Sequence, residues 1–265
     1  MDNEFDRGDP KPATAQRGPG AIIAIAIVVV VLAAAAWFAL HRAPDAPPPA
    51  PVAAQGADAG LPGAAQDAPL PSVAEGDARV RAIFGPLSTR PEWTAWLSTA
   101  NLLERASVLL DNLVLDVSPR KQLAFLAPAL PFSAAGRGAK LSIDPKSYAR
   151  YDTIADVVAS IDAKGFARAV RTLYPLLQTA YHGLGYPDRP LDPVLSLALK
   201  RIIEAPVANG EVALRKEGGI YRFQDQKLEE SGDVEKHLLR MGPRNTLLVQ
   251  GKAREIAAAL ALPVP

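Results

Sequence analysis

The sequence predicts a mainly α-helical protein in three parts: a single N-terminal transmembrane helix, a Pro/Ala-rich linker, and a C-terminal helical domain with one small β-hairpin. Three observations predict it. Residues 20–40, GAIIAIAIVVVVLAAAAWFAL, hold no charged residue. Residues 41–73 are dominated by Ala, Pro and Gly. Over residues 74–265 apolar side chains recur at helical spacing, and only one stretch alternates as a hairpin does.

At ~1.5 Å per residue the apolar stretch makes a helix roughly 31 Å long, close to the hydrocarbon thickness of a bilayer. A helix also satisfies its own backbone hydrogen bonds, as lipid demands. Trp37 and Phe38 stand at its C-terminal end, where aromatic rings suit the membrane interface. Arg7, Lys11 and Arg17 precede it, and Arg42 is the only Lys or Arg between it and Arg79. Positive charge stays inside, so the N-terminus is expected in the cytoplasm and the domain in the periplasm. A cleaved signal peptide is the competing reading. Ala33–Ala36 offers small residues to a peptidase, but the apolar run exceeds the usual ~7–15 residues. Residues 1–19 mix charges with Pro and Gly and read as a disordered cytoplasmic tail. Residues 41–73 read as a flexible linker, extended where PDAPPPAPVAAQ favours polyproline II.

The globular part begins near Val73. SVAEGDARVRAIFGPL is a short helix stopped by Gly85-Pro86. Pro91 and Glu92 open a helix expected to reach Val117, with Trp93, Trp96, Leu97, Ala100, Leu103, Leu110 and Val114 on one stripe. Trp93 and Trp96 suit core packing better than a ligand platform. From Ser118 to Ile143, Pro119, Pro128, Pro131, Gly136 and Gly138 break the period. This reads as an irregular excursion with one helical turn near Gln122–Leu126, and loops this long are often functional. Asp144-Pro145 restarts a helix whose stripe is Tyr148, Tyr151, Ile154, Val157, Val158 and Ile161. Asp162 caps the next helix, which ends at Gly185 and is kinked or split near Tyr174 by Pro175. Asp192-Pro193 starts a helix through Glu204. EVALRKEGGIYRF reads as a hairpin turning at Glu217-Gly218-Gly219. A helix over Asp233–Met241 is stopped by Gly242-Pro243. The last helix, from about Asn245 to Leu260, carries Leu247, Leu248, Ile256 and Leu260. The expected total is about six or seven helices.

YARYDTIADVVASID, LYPLLQTAYHGLGYPD, and the pair YRFQDQKLEES and KHLLRMGPRN resemble a bacterial membrane-protein family known only as "domain of unknown function 3014". The resemblance covers Ile83 to Leu260. The positions that carry it are Tyr151, Asp152, Asp162, Tyr181, Gly185, Tyr186, Pro187, Arg240, Met241, Gly242, Pro243 and Asn245. It implies an N-terminal membrane helix, a low-complexity spacer and one extracytoplasmic domain, and it implies no activity. Physically, Gly185 and Gly242 suit left-handed caps, Pro187 and Pro243 stop continuation, and Met241 suits the core. Asp152 suits an exposed or ion-paired site. Arg240 suits a helix C-terminus, where it could also hold Asp152, Asp225 or an anionic ligand.

Charge and motifs exclude more than they assign. The chain has 29 Lys and Arg, 28 Asp and Glu and no Cys; from residue 74 onward the balance is 25 to 21. That is too mild for a nucleic-acid partner, and disulfides and thiolate metal sites are excluded. His41, His182 and His237 are scattered, so no metal or other cofactor is expected. There is no Walker loop, GxGxxG or GxSxG. Glu230-Ser231-Gly232 resembles the catalytic Glu-Ser start of lytic transglycosylases, whose Glu is a general acid, but the Gly-Leu-Met-Gln that follows there is missing. A solvated turn explains it better. Lys164, Arg168 and Arg171 recur along one helix, followed by Tyr174 and Tyr181. That face suits an anionic polymer, lipid headgroups or an acidic partner as well as it suits an ordinary solvated face. Tyr186, Arg240 and Asn245 complete the binding candidates. The expectation is a membrane-anchored envelope protein that binds, tethers or scaffolds. Its partners would be the bilayer through residues 20–40 and peptidoglycan or an envelope protein. A peptidoglycan-active hydrolase is the alternative.

Overall fold

The computed structural model describes residues 71–264. The expected tail at 1–19, the apolar helix at 20–40 and the linker up to residue 70 lie outside the described residues.

A mainly helical domain with one four-residue-armed hairpin follows, as the periodicity predicts. Ser72 opens it with a capping box: its side chain accepts from the Glu75 amide, and Glu75 reaches back to the Ser72 amide. Helices α1 (Val73–Phe84), α2 (Pro91–Leu97) and α3 (Leu102–Val114) lead into the irregular excursion. Then come α4 (Pro145–Ala149), α5 (Asp152–Ala159), α6 (Ala163–His182) and α7 (Leu191–Glu204). After the hairpin follow α8 (Gln226–Glu230), α9 (Asp233–Met241) and α10 (Pro243–Leu260). Seven of these ten helices have eight residues or more.

The helix expected from Pro91 to Val117 is broken into α2 and α3. Asn101 sits in the left-handed region at φ 61°, and Asp77 of α1 causes the break to hold. Its carboxylate accepts the amides of Asn101 and Leu102, at 2.9 and 2.7 Å, so it caps α3 from outside the helix. Arg81, one turn further along α1, donates to the carbonyls of Leu97 and Thr99 at the end of α2. The segment from Asp144 to Ile161 is likewise two helices. Arg150 Nε donates to Ser147 O and Asn245 Nδ2 to Tyr148 O, so side chains take the carbonyls on which α4 ends. Pro175, by contrast, does not split α6, which runs through it.

One further expectation is corrected. The excursion contains a second small sheet: β1 (Ala134–Ala135) pairs antiparallel with β2 (Ser142–Ile143). Two-residue strands hold no period that a sequence pattern can show. The hairpin itself forms as expected, with β3 (Leu214–Glu217) and β4 (Ile220–Phe223) joined by Gly218 and Gly219, both at positive φ. Of the apolar residues of α10, Ile256 and Leu260 are buried and Leu247 is exposed.

The main core gathers α1, α3, α5, α6, α7, α9 and α10 around Trp93, Phe166, Tyr151 and Tyr181. Trp93 is fully buried and its indole donates to Phe84 O, so it is a core residue. A smaller core of Ile143, Val212, Leu214, Phe223 and Leu239 seats the hairpin and β2. Helix α10 packs on α5, α6, α7 and α9, and its buried polar side chains close their ends. Thr246 donates to Leu238 O, Lys252 to Ile161 O, and Gln250 to Ile202 O and Ala205 O.

Two neighbouring substitutions test this with opposite signs. Gln250→Leu keeps the volume but strands two buried carbonyls, and urea unfolding followed by circular dichroism should show a loss of about 2–3 kcal/mol. Gly251→Ala has open space for its methyl group inside α10 and should gain about 0.5–1 kcal/mol.

Candidate functional site

Most family-motif residues converge where α9 meets α10. Gly242 joins the two helices at φ 82° and ψ 163°, which is not the left-handed cap expected but an extended mirror-image conformation open to Gly. Any Cβ there would lie 2.5 Å from the Tyr148 ring. Pro243 then occupies the first turn of α10. Asn245 is buried, and its amide nitrogen lies within hydrogen-bond distance of Tyr148 O, Asp152 Oδ1 and Met241 O. Arg244 donates to Asn245 Oδ1 and to Asp156, 2.7 Å away, and lies 3.7 Å from Asp152; Arg90 also reaches Asp156. Met241 is core. This cluster clamps helices together and leaves little reactive chemistry free.

Arg240 behaves differently. It meets neither Asp152, which pairs with Asn245 and Arg244, nor Asp225, which caps α8. Its guanidinium lies over the Phe223 ring, 4.7 Å from the centroid. It makes no hydrogen bond or ion pair with any described residue. Burial pulls its pKa down, opposed by the charges of Glu229, Tyr151 and Asp233. Beside it, Tyr151 is fully buried, and burial pushes its hydroxyl up to about 12 against the opposing charges of Arg150 and Arg240. Arg150 lies over both Phe132 and Tyr151, and its Nη1 donates to Leu130 O at 3.0 Å. The pair Arg150 and Arg240 thus joins the main core, the hairpin core and the irregular excursion.

The other binding candidates are spread apart. Tyr181 is buried and stacks on Tyr186 with ring centroids 5.5 Å apart; both hydroxyls reach Asp111. Gly185, at φ 103°, and the exposed Pro187 shape the turn that brings Tyr186 back. Asp162 caps α6 as expected, accepting the Lys164 amide. Lys164 and Arg168 are exposed, and Arg168 lies 3.7 Å from Asp162. Arg171 is half-buried and donates to Ala259 O at the end of α10, so the three cations do not form one open face.

Glu230 is exposed at the end of α8, five residues long, and accepts from Gln226 Nε2. Gly232 has a packing reason: a Cβ there would lie 1.7 Å from Asp116 Oδ2. Asp116 accepts the Val234 amide and pairs with Arg201 at 3.1 Å, capping α9 from a distance. The Glu-Ser-Gly triplet therefore serves a helix start. His237 is buried with Ser118 Oγ 2.8 Å from its ring, and His182 lies against Gln178. Among the described residues no three His, Asp or Glu come together as metal ligands, and no helix is long and apolar enough to cross a membrane. A shallow polar hollow of about 190 Å³ lies between Asn101, Arg105 and Lys121.

A family model described as "Protein of unknown function (DUF3014)" matches residues 102–257, from the start of α3 to the last turn of α10. The chain belongs to this family. No curated protein and no solved structure matches it. The DUF3014 match takes in the α9–α10 clamp, the paired arginines and the whole excursion.

Asp77, Asp111, Asp116, Arg150, Asp156 and Arg244 were not singled out by the sequence. Asp111 had a signal, since it interrupts the apolar run of α3. Arg244 lies between Gly-Pro and Asn of the motif. The others act on partners far away in the chain.

The buried tyrosines predict an alkaline limit. In the folded chain Tyr151 and Tyr181 hold their protons to about 12, whereas unfolded tyrosine ionises near 10. Stability is therefore full below pH 10 and falls as pH rises toward 12. Tyr151→Phe should flatten this fall in urea unfolding measured across that range.

Proposed function

We propose that this DUF3014 chain is a membrane-anchored, non-enzymatic binding or scaffolding protein of the bacterial cell envelope. Residues 20–40 would span the inner membrane, and the domain would stand in the periplasm at the end of the linker. One observation carries the non-enzymatic part. The side chains with reactive chemistry are engaged in closing helices, as with Asp77, Asp116, Asp152 and Asn245, while Glu230 stands in the open. A general acid needs a site that holds its proton and excludes water. What the surface offers is exposed cations, Lys164 and Arg168 among them, and exposed apolar side chains. A tether raises the local concentration of such a surface and so makes weak contacts effective.

Two measurements test this. Protease added to spheroplasts of cells making the full chain should release a resistant fragment that begins near residue 71; a chain untouched from outside would sink the periplasmic placement. Sedimentation with purified peptidoglycan sacculi should fall with salt and with Lys164→Glu/Arg168→Glu, which alters only exposed side chains and spares the anchored Arg171. Release of soluble muropeptides by the wild type, lost in Glu230→Gln, would overturn the non-enzymatic reading.

A further inference from the structure

Among the described residues, four of the seven large hydrophobic side chains that stand exposed fall within one short segment. They are Leu115 at 53%, Val117 at 48%, Phe125 at 39% and Leu130 at 67%. This segment is not slack. Leu123 and Leu126 are buried on either side of Phe125, in a turn of 3-10 helix that runs from Ala124 to Leu126. Arg105 Nη1 donates to Gln122 O, and Arg150 Nη1 donates to Leu130 O. Leu130 itself stands between Ala129 and Pro131, two residues past Pro128. The chain is braced from the inside, and the part of each apolar side chain that it holds outward stays in contact with water.

The same segment has an unusual charge pattern. Residues 117–143 contain no Asp or Glu, yet they carry Arg120, Lys121, Arg137 and Lys140. Lys121, Arg137 and Lys140 are exposed. The nearest acid before them, Asp116, is paired with Arg201, and the nearest after them, Asp144, caps α4. A segment of exposed Leu, Val and Phe that carries cations and no acid of its own has the chemistry of an interfacial anchor, with Glu104 of α3 lining the same hollow as Lys121. A protein partner would call for a groove or for directional polar groups, and the tip from Ala127 to Pro131 offers only Ala, Pro and Leu side chains.

We infer that residues 115–140 form a membrane-docking loop, in which Phe125 and Leu130 enter the headgroup–acyl boundary of an anionic bilayer and Lys121, Arg137 and Lys140 meet its phosphates. The inference rests on the membrane-anchored reading. Tethering through residues 20–40 confines the domain near the bilayer, so a loop of modest intrinsic affinity docks without binding lipid strongly by itself. Docking would turn a domain on a leash into one held at a fixed orientation to the bilayer.

The chain has no Cys, which makes single-site labelling clean. An environment-sensitive nitrobenzoxadiazole probe is placed on Phe125→Cys and Leu130→Cys, with Leu197→Cys and Leu247→Cys as exposed controls elsewhere. Each full-length variant is reconstituted in vesicles of phosphatidylcholine, or of equal parts phosphatidylcholine and phosphatidylglycerol, and checked by flotation. Expected is a blue shift and several-fold stronger quenching by doxyl-labelled lipid at 125 and 130 than at 197 and 247, in the anionic vesicles, lost in Lys121→Glu/Lys140→Glu. Probes at 125 and 130 that stay as aqueous as the controls, in a chain that floats with the vesicles, would overturn the docking loop and leave the anchor standing. Burial of those probes only when envelope proteins are added would overturn it in favour of a protein partner. A chain that does not float with either vesicle would overturn the anchor and the docking loop together.

Discussion

The fold depends on closing helix ends with side chains that come from elsewhere. A helix leaves four amides and four carbonyls without partners, and a chain of many short helices multiplies that debt. Here α1 supplies both signs at one junction: Asp77 takes the amides that open α3, and Arg81 takes the carbonyls that end α2. Asp116 does the same for α9, and Gly232 is glycine so that the carboxylate can come close. Helix α10 does it repeatedly, through Asn245, Thr246, Gln250 and Lys252. In exchange its own C-terminal carbonyl Ala259 O receives Arg171. The buried polar groups of this domain are therefore structural members, and each is costly to leave alone.

That constraint also explains how much of the fold could be read in advance. Signals that act within a few residues were legible: Asp144 and Asp162 cap their own helices, Gly218-Gly219 turns its own hairpin, and Gly242-Pro243 ends its own helix. Signals that act across the chain were not. The break at Asn101 lies in an apolar stripe that looks continuous, and its cause is a carboxylate 24 residues earlier. The sheet of β1 and β2 is too short for a period, and it is held by Ile143 N on Val212 O, far along the chain. Pro175 is the opposite case, a local breaker overruled because α6 is packed along its length, from Phe166 through Leu173 to Tyr181.

The candidate site was legible as a list of residues and not as a geometry. The motif positions Tyr151, Asp152, Arg240, Met241, Gly242 and Asn245 do come together, yet they do so in two roles. Asp152 and Asn245 belong to the clamp with Arg244, while Tyr151 and Arg240 face Phe223 and Arg150. Nothing in the spacing distinguishes an arginine whose donors are all used from one whose donors are not. The cation stripe on α6 failed as a face for the same reason. Arg171 lies at helical spacing from Arg168, but the carbonyl that claims it belongs to the last helix.

The excursion inverts this logic, and that is why it stands apart. Elsewhere the exposed large apolar side chains, Leu197, Ile220 and Leu247, stand singly, and buried polar groups such as Asp77, Asn245 and Gln250 close helix ends. Between residues 115 and 131 apolar side chains face water while Leu123, Leu126, Arg105 and Arg150 hold the backbone in place beneath them. Exposed leucine on a slack loop can fold back and hide. Exposed leucine on a braced loop cannot, so its contact with water is a standing cost that the isolated domain does not recover. The cost is recovered only if something apolar arrives, and the absence of any acid from residue 117 to residue 143 means that an anionic surface can bring it. In this chain the rigidity that exposes the loop and the charge that would guide its docking are built from neighbouring residues.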